Sequence, residues 1–112
     1  MTVLSIRQLS KSFREGERVH RVLAQAQASI AGGETVAITG RSGSGKSTLL
    51  NLISGIDRPE GGTIEIDGTE VSSLAEPART LYRRAHIGFI YQFFNLIPTL
   101  DVLENVRLVL EL

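Results

Sequence analysis

The chain contains no cysteine among its 112 residues. That excludes a disulfide framework and thiolate metal sites, and it fits a reducing compartment. It also has no net charge, because twelve basic side chains balance twelve acidic ones. No global basic field is available to hold DNA or RNA, so a nucleic-acid partner is not expected. No apolar run reaches the ~20 residues that a membrane helix needs. Met1–Ser10 lacks a basic start followed by an apolar core and does not read as a signal peptide. Work at a membrane would require another chain to cross it. His20 and His86 have no partner at metal-ligand spacing and are assigned to structure or solvent. Glu65 and Asp67 share one face of an alternating strand. A wet strand edge before a turn explains them better than a catalytic acid pair.

The length suits one small domain with one core. Val3, Leu4, Ile6 and Leu9 mark a first strand, and a polar turn follows at Arg14–Glu17. Val19–Ile30 reads as a second extended segment, so residues 1–31 predict an antiparallel hairpin. Thr35–Thr39 is a compact β-branched run, as for a strand buried on both faces. Ser47–Ser54 predicts a helix with Leu49, Leu50, Leu52 and Ile53 on its apolar stripe and Gly55 at its end. Thr63–Asp67 alternates as a half-wet strand, and Asp67-Gly68 starts a turn. Leu74–Arg84 predicts a helix, Ile87–Tyr91 a strand and Gln92–Thr99 a loop. Asp101 and Glu104 form a capping-box pair before a last helix carrying Val102, Leu103, Val106, Val109 and Leu110. Two readings stand for that apolar stripe: it packs on the sheet, or its cover lies in sequence beyond Leu112.

The chemistry concentrates in Gly40-Arg41-Ser42-Gly43-Ser44-Gly45-Lys46-Ser47, which fits the phosphate-loop pattern G-x-x-x-x-G-K-[ST]. Glycines let the backbone come close to a ligand in dihedrals forbidden to other residues. Successive N–H groups then form an anion nest at a helix start carrying roughly half a positive charge. Lys46 is expected to reach the β- and γ-phosphates. The Ser47 hydroxyl is expected to ligate Mg²⁺, a hard cation that prefers oxygen. Thr48 completes the expected phosphate-binding set. A flexible Gly/Ser loop is the bland alternative, and the flanking strand and helix signals argue against it. The loop identifies phosphate and not base. No N-K-x-D guanine-reading motif occurs, and Lys11 and Lys46 are the only lysines, which favours adenine weakly.

With the loop placed, a wider pattern emerges. Leu9-Ser10-Lys11-Ser12-Phe13, Gly33–Gly40, the phosphate loop with Thr48-Leu49-Leu50, Ser54-Gly55, Pro59, Gly61-Gly62, Asp67-Gly68 and Ile87–Gln92 fall in one order. That order resembles the nucleotide-binding domain of ABC transporters across essentially the whole chain. Asn95–Val106 looks closest to the subgroup serving lipoprotein release and macrolide-type export. The resemblance implies an α/β fold: a partial P-loop NTPase core with an N-terminal antiparallel β subdomain. It divides the chain into antiparallel strands at 1–31, strand-loop-helix at 34–55, strand and helix at 62–91, and a Q-loop and helical-subdomain start at 92–112. It further implies ATP and Mg²⁺ as cofactors, with Lys46 and Gln92 catalytic. Phe13 resembles the ring that stacks on adenine, against the alternative of a core phenylalanine. Gln92 resembles the glutamine that contacts Mg²⁺ and senses the γ-phosphate, against a solvated loop residue. Phe93, Phe94, Leu96 and Ile97 resemble contacts to a transmembrane permease, against ordinary core packing. The implied partners are permease subunits and a second ATPase subunit, and the implied place is the cytoplasmic membrane face.

The chain departs from the family in three ways. It has no L-S-G-G-Q-type signature, no apolar run ending in Asp-Glu and no switch histidine after it. The chain is therefore expected to be a truncated product or an N-terminal fragment with poor turnover. The competing reading is a non-hydrolysing nucleotide-binding interaction module that docks on a membrane partner. A small-molecule kinase is disfavoured, since nothing resembles an acceptor site or an arginine-rich lid.

Overall fold

A computed structural model describes residues 1–41, 43–90 and 97–111, with side chains described up to 108. Strands β1 (Thr2–Glu15) and β2 (Arg18–Ala31) form a long antiparallel hairpin. Strand β3 (Gly61–Ile66) pairs with the other edge of β1, and β4 (Thr69–Glu70) pairs with β3. The four strands lie in the order β2-β1-β3-β4 and every pairing is antiparallel. Helix α1 (Lys46–Ile53) seats Leu52 against this sheet. Ile6, Leu9, Leu52, Ile64 and Val71 make the buried core. Helices α2 (Ala78–His86) and α3 (Val102–Glu111) follow.

Ile6 and Leu9 both point inward, although strict alternation would put residues three apart on opposite faces. A bulge at Gln8, with φ 49°, resolves this. Between Arg7↔Thr63 and Ser10↔Gly61, β1 advances three residues while β3 advances two. A second bulge at Gln25, also with φ 49°, restores the β1–β2 register. Gly62 sits beside the first bulge at φ 84°, and a Cβ there would run into the carbonyl oxygens of Gln8 and Arg7. Only glycine fits that close approach.

The second hairpin turns through Asp67 (φ 48°) and Gly68 (φ 81°), the paired positive angles of a type I′ turn. Tyr82 of α2 donates its hydroxyl to the Ile66 carbonyl at 3.1 Å. Burial, helped by the nearby Asp67 charge, pushes the Tyr82 phenol above its ordinary pKa. Glu76 accepts hydrogen bonds from Thr80 and Arg79 at the start of α2, which hold its carboxyl below the usual range.

Three sequence expectations need correction. Residues 34–40 carry no regular structure, and Val36 and Ile38 are exposed, so Thr35–Thr39 does not form the expected buried strand. A strand needs neighbours for its backbone groups, and no described strand pairs with this segment. Ile87–Ile90 is likewise not a strand, and Tyr91 lies outside the described residues. The helix expected at Leu74 begins only at Ala78, because Pro77 disfavours helical dihedrals in the residue before it. Of the final helix's stripe, Val102, Leu103 and Val106 are exposed and do not pack on the sheet, and the side chains of Val109 and Leu110 lie outside those described. Its capping box forms, with Glu104 N–H donating to Asp101 Oδ1 at 2.8 Å and Asp101 N–H to Glu104 Oε1 at 3.1 Å.

The bulge contact yields a direct test. Gly62→Ala should cost about 2–3 kcal/mol in urea unfolding, from positive φ plus collision with fixed backbone. Gly68→Ala has the same φ problem but open space around it. It should cost only about 1 kcal/mol.

Candidate functional site

The site is built around the first turn of α1. Gly45 is its N-cap, in left-handed geometry at φ 100° and ψ 10°. The first N–H groups of a helix have no intrahelical acceptor. Among the described residues no side chain caps this end, and no acidic residue occupies the first turn. The chain itself therefore leaves those donors open to an anion.

Lys46 organises the loop in front of them. Its ammonium donates to the carbonyls of Gly40 (2.5 Å) and Arg41 (2.7 Å) and reaches the Ser44 hydroxyl at 3.4 Å. The Ser44 N–H donates to the Arg41 carbonyl at 3.1 Å, closing the loop on itself. Positive charge is thus held at the mouth of the helix N-terminus.

The other end of α1 is fixed just as firmly. The Gly55 N–H bonds the Leu52 carbonyl at 3.2 Å, and the Ile56 N–H bonds the Asn51 carbonyl at 3.0 Å. These are the paired bonds of a Schellman ending, with Gly55 left-handed at φ 78°. Arg83 of α2 donates to the Gly55 carbonyl at 3.1 Å. With Leu52 in the core, the helix has little freedom to rotate or slide.

A cavity of about 540 Å³ opens at the first turn, lined by Phe13, Val22, Gly43, Gly45, Lys46, Ser47 and Thr48. The hairpin supplies its apolar wall and the loop its polar floor. Phe13 lies on β1 opposite His20 of β2 and is 41% exposed, so it is not a core residue. Gly45 rests on β2 so closely that a Cβ there would lie 2.5 Å from Val22 Cγ1.

The structure therefore brings Phe13, Gly43, Gly45, Lys46, Ser47 and Thr48 around one cavity. Gly40, Arg41 and Ser44 join them through the Lys46 ammonium. Ser42 and Gln92 lie outside the described residues, as do Phe93, Phe94 and Leu96. Ile97 is exposed. Val22 was not singled out as a site residue. Its alternation within β2 marks a strand face but cannot show that the loop lands on it. Among the described residues no cluster of His, Asp or Glu could hold a metal by itself. His86 stacks at 4.3 Å on Tyr82, in line with a structural role.

The match to known proteins follows the same outline. A family model described as ABC transporter matches residues 23–111. This chain belongs to the ABC transporter family. Its relatives include an uncharacterised ABC transporter ATP-binding protein of Mycobacterium tuberculosis, 52% identical over 98% of this chain and 44% of that protein. The lipoprotein-releasing system ATP-binding protein LolD of Pseudomonas syringae pv. tomato is 51% identical over 93% of this chain and 46% of that protein. The chain thus spans about half the length of the curated relatives it matches. The fold also matches the dimeric ATP-binding cassette MJ0796, solved in a post-hydrolysis state with ADP and Pi. The TM-score is 0.88 at 42% identity, over 96% of this chain and 47% of that one. The ABC cassette fold is therefore present in part: an α/β P-loop NTPase arrangement with an antiparallel β subdomain. No helix among the described residues is long and apolar enough to cross a membrane.

The Gly45–Val22 contact can be tested by a double-mutant cycle. Gly45→Ala should cost about 1–3 kcal/mol in urea unfolding. Val22→Ala should relieve the steric part, so the double variant should be more stable than the two single costs predict.

Proposed function

We propose that this chain is the nucleotide-binding part of an ATP-binding subunit that couples ATP binding and hydrolysis to transport by a membrane permease. One observation carries the reading. An exposed aromatic ring and an uncapped helix N-terminus with its lysine face the same cavity. A nucleotide has two ends, one flat and apolar and one highly anionic, and this cavity offers a wall for each.

In this reading the N–H groups of Gly43 and Gly45–Thr48, in the loop that Gly40 opens, cradle the phosphates. Lys46 turns its ammonium from the loop carbonyls toward the β- and γ-phosphates. Phe13 takes the adenine ring by stacking, worth about 0.5–1.5 kcal/mol. Ser47 and Gln92 would hold Mg²⁺ beside the phosphate oxygens, where the ion supplies charge neutralisation. One hydroxyl suits Mg²⁺, which takes few protein ligands and fills its shell from phosphates and water. Gln92 also senses the γ-phosphate.

Phosphoryl transfer to water further needs a group that positions the water. No apolar run in these 112 residues ends in Asp-Glu. These residues by themselves accordingly bind nucleotide without efficient turnover, and hydrolysis belongs to a family-length protein. Such a protein acts as a dimer of ATPase subunits beneath a permease, peripheral on the cytoplasmic membrane face. The similarity to lipoprotein-releasing ATP-binding proteins supports a related export or release task. A second reading, a non-hydrolysing module that docks on a membrane partner, draws on the exposed Val102, Leu103 and Val106 of α3.

Calorimetry with Mg-ATP, beside a phosphate-release assay, tests this directly. Lys46→Ala should weaken binding about 10-fold or more, the worth of a charge-assisted hydrogen bond. Equal binding by both proteins would remove the phosphate-loop assignment. Brisk phosphate release by these residues alone would contradict their catalytic incompleteness.

A further inference from the structure

The turn after α1 grips β1 next to Phe13. Asp57 takes its N–H to the Asn51 carbonyl of α1 at 3.2 Å and its carboxylate to the Lys11 ammonium, also at 3.2 Å. Lys11 adds a bond to the Arg58 carbonyl at 2.8 Å. On either side of Lys11, the Glu60 N–H donates to the Ser10 carbonyl (2.9 Å) and the Ser12 N–H donates to Glu60 Oε1 (3.0 Å). Three consecutive β1 residues are thus clipped to the segment leaving α1, just where β1 stops pairing with β3 at Ser10↔Gly61.

Lys11 carries this clip to the ring. Its side chain is only 15% exposed, unusually little for a lysine, and its ammonium lies over the Phe13 ring at 5.5 Å from the centroid. That is within cation–π range. The ammonium occupies one face of the ring, and a stacked base would take the other. A ring fixed in place before binding spares the entropy of ordering it afterwards.

We propose that Lys11 is a positioning residue for nucleotide binding: it locks Phe13 and ties the ring's strand to α1, setting the distance between the base wall and the phosphate floor. The proposal rests on the nucleotide-binding reading above. It predicts a selective defect. Losing Lys11 should harm recognition of the base and spare recognition of the phosphates, because its ammonium is engaged with Asp57, Arg58 and the Phe13 ring, away from the Lys46 ammonium and its loop partners.

The test is calorimetry with two magnesium-loaded probes, ATP and inorganic tripolyphosphate. The proteins are wild type, Lys11→Met, Lys11→Arg, Phe13→Ala and the Lys11→Met/Phe13→Ala double variant. Lys11→Met should weaken ATP binding about three- to tenfold and leave tripolyphosphate within about twofold of wild type. Lys11→Arg keeps the charge and the donors and should restore most of the loss. The double variant should bind ATP no more weakly than Phe13→Ala alone, since both changes act through one ring. Retained tripolyphosphate binding shows that Lys11→Met is folded. Equal weakening of both probes would reduce Lys11 to general scaffolding and overturn the proposal, as would unchanged ATP binding. If wild type binds neither probe, the nucleotide-binding reading itself fails. If wild type binds both but Phe13→Ala changes neither, only the stacking and positioning parts fail.

Discussion

The site depends on one close contact, the seat of α1's first turn on the β1–β2 hairpin. Gly45 lies against Val22 with room for a hydrogen and nothing larger. That contact brings the uncapped first turn of α1 to the cavity that Phe13 lines. The rest of the described structure serves to keep it there. Leu52 anchors α1 in the core, the Schellman ending and Arg83 hold its far end, and the two bulges in the hairpin shape the wall it rests on. An anion site made of backbone dipoles has value only when those dipoles are held in position before the ligand arrives.

The parts that the sequence made legible are local. The glycine-rich turn at Gly43–Gly45, the helix after it, Gly55, the Asp67-Gly68 turn and the Asp101–Glu104 capping box each follow from short-range stereochemistry. What the sequence hid is the result of distance. A β-branched run such as Thr35–Thr39 looks like a strand in isolation, yet strand formation belongs to a pair, and no described strand lies beside it. Alternation in β1 is broken at Gln8, and only the registers with β2 and β3 show that the break lets Ile6 and Leu9 share a face. Val22 and Lys11 escaped for the same reason. Their partners, Gly45 and Asp57, lie more than twenty residues away in sequence. Phe13 was reachable from the family pattern alone, and the structure adds its place on the cavity wall.

Family membership and geometry answer different questions. The match over residues 23–111 fixes the family, and the overlay at TM-score 0.88 fixes the fold. The cavity adds what membership alone does not: an exposed aromatic ring and the first turn of α1 line one space within residues 13–48. The exposed Val102, Leu103 and Val106 of α3 and the exposed Val36 and Ile38 are apolar surfaces of another kind.

Amide and aromatic NMR spectra recorded during a Mg-ATP titration test the central claim most directly. The account requires the N–H signals of Gly43 and Gly45–Thr48 to move together with the Phe13 ring protons, along one binding curve. Shifts confined to α2 or α3, or loop amides that move while the Phe13 ring stays still, would contradict a single two-walled nucleotide site.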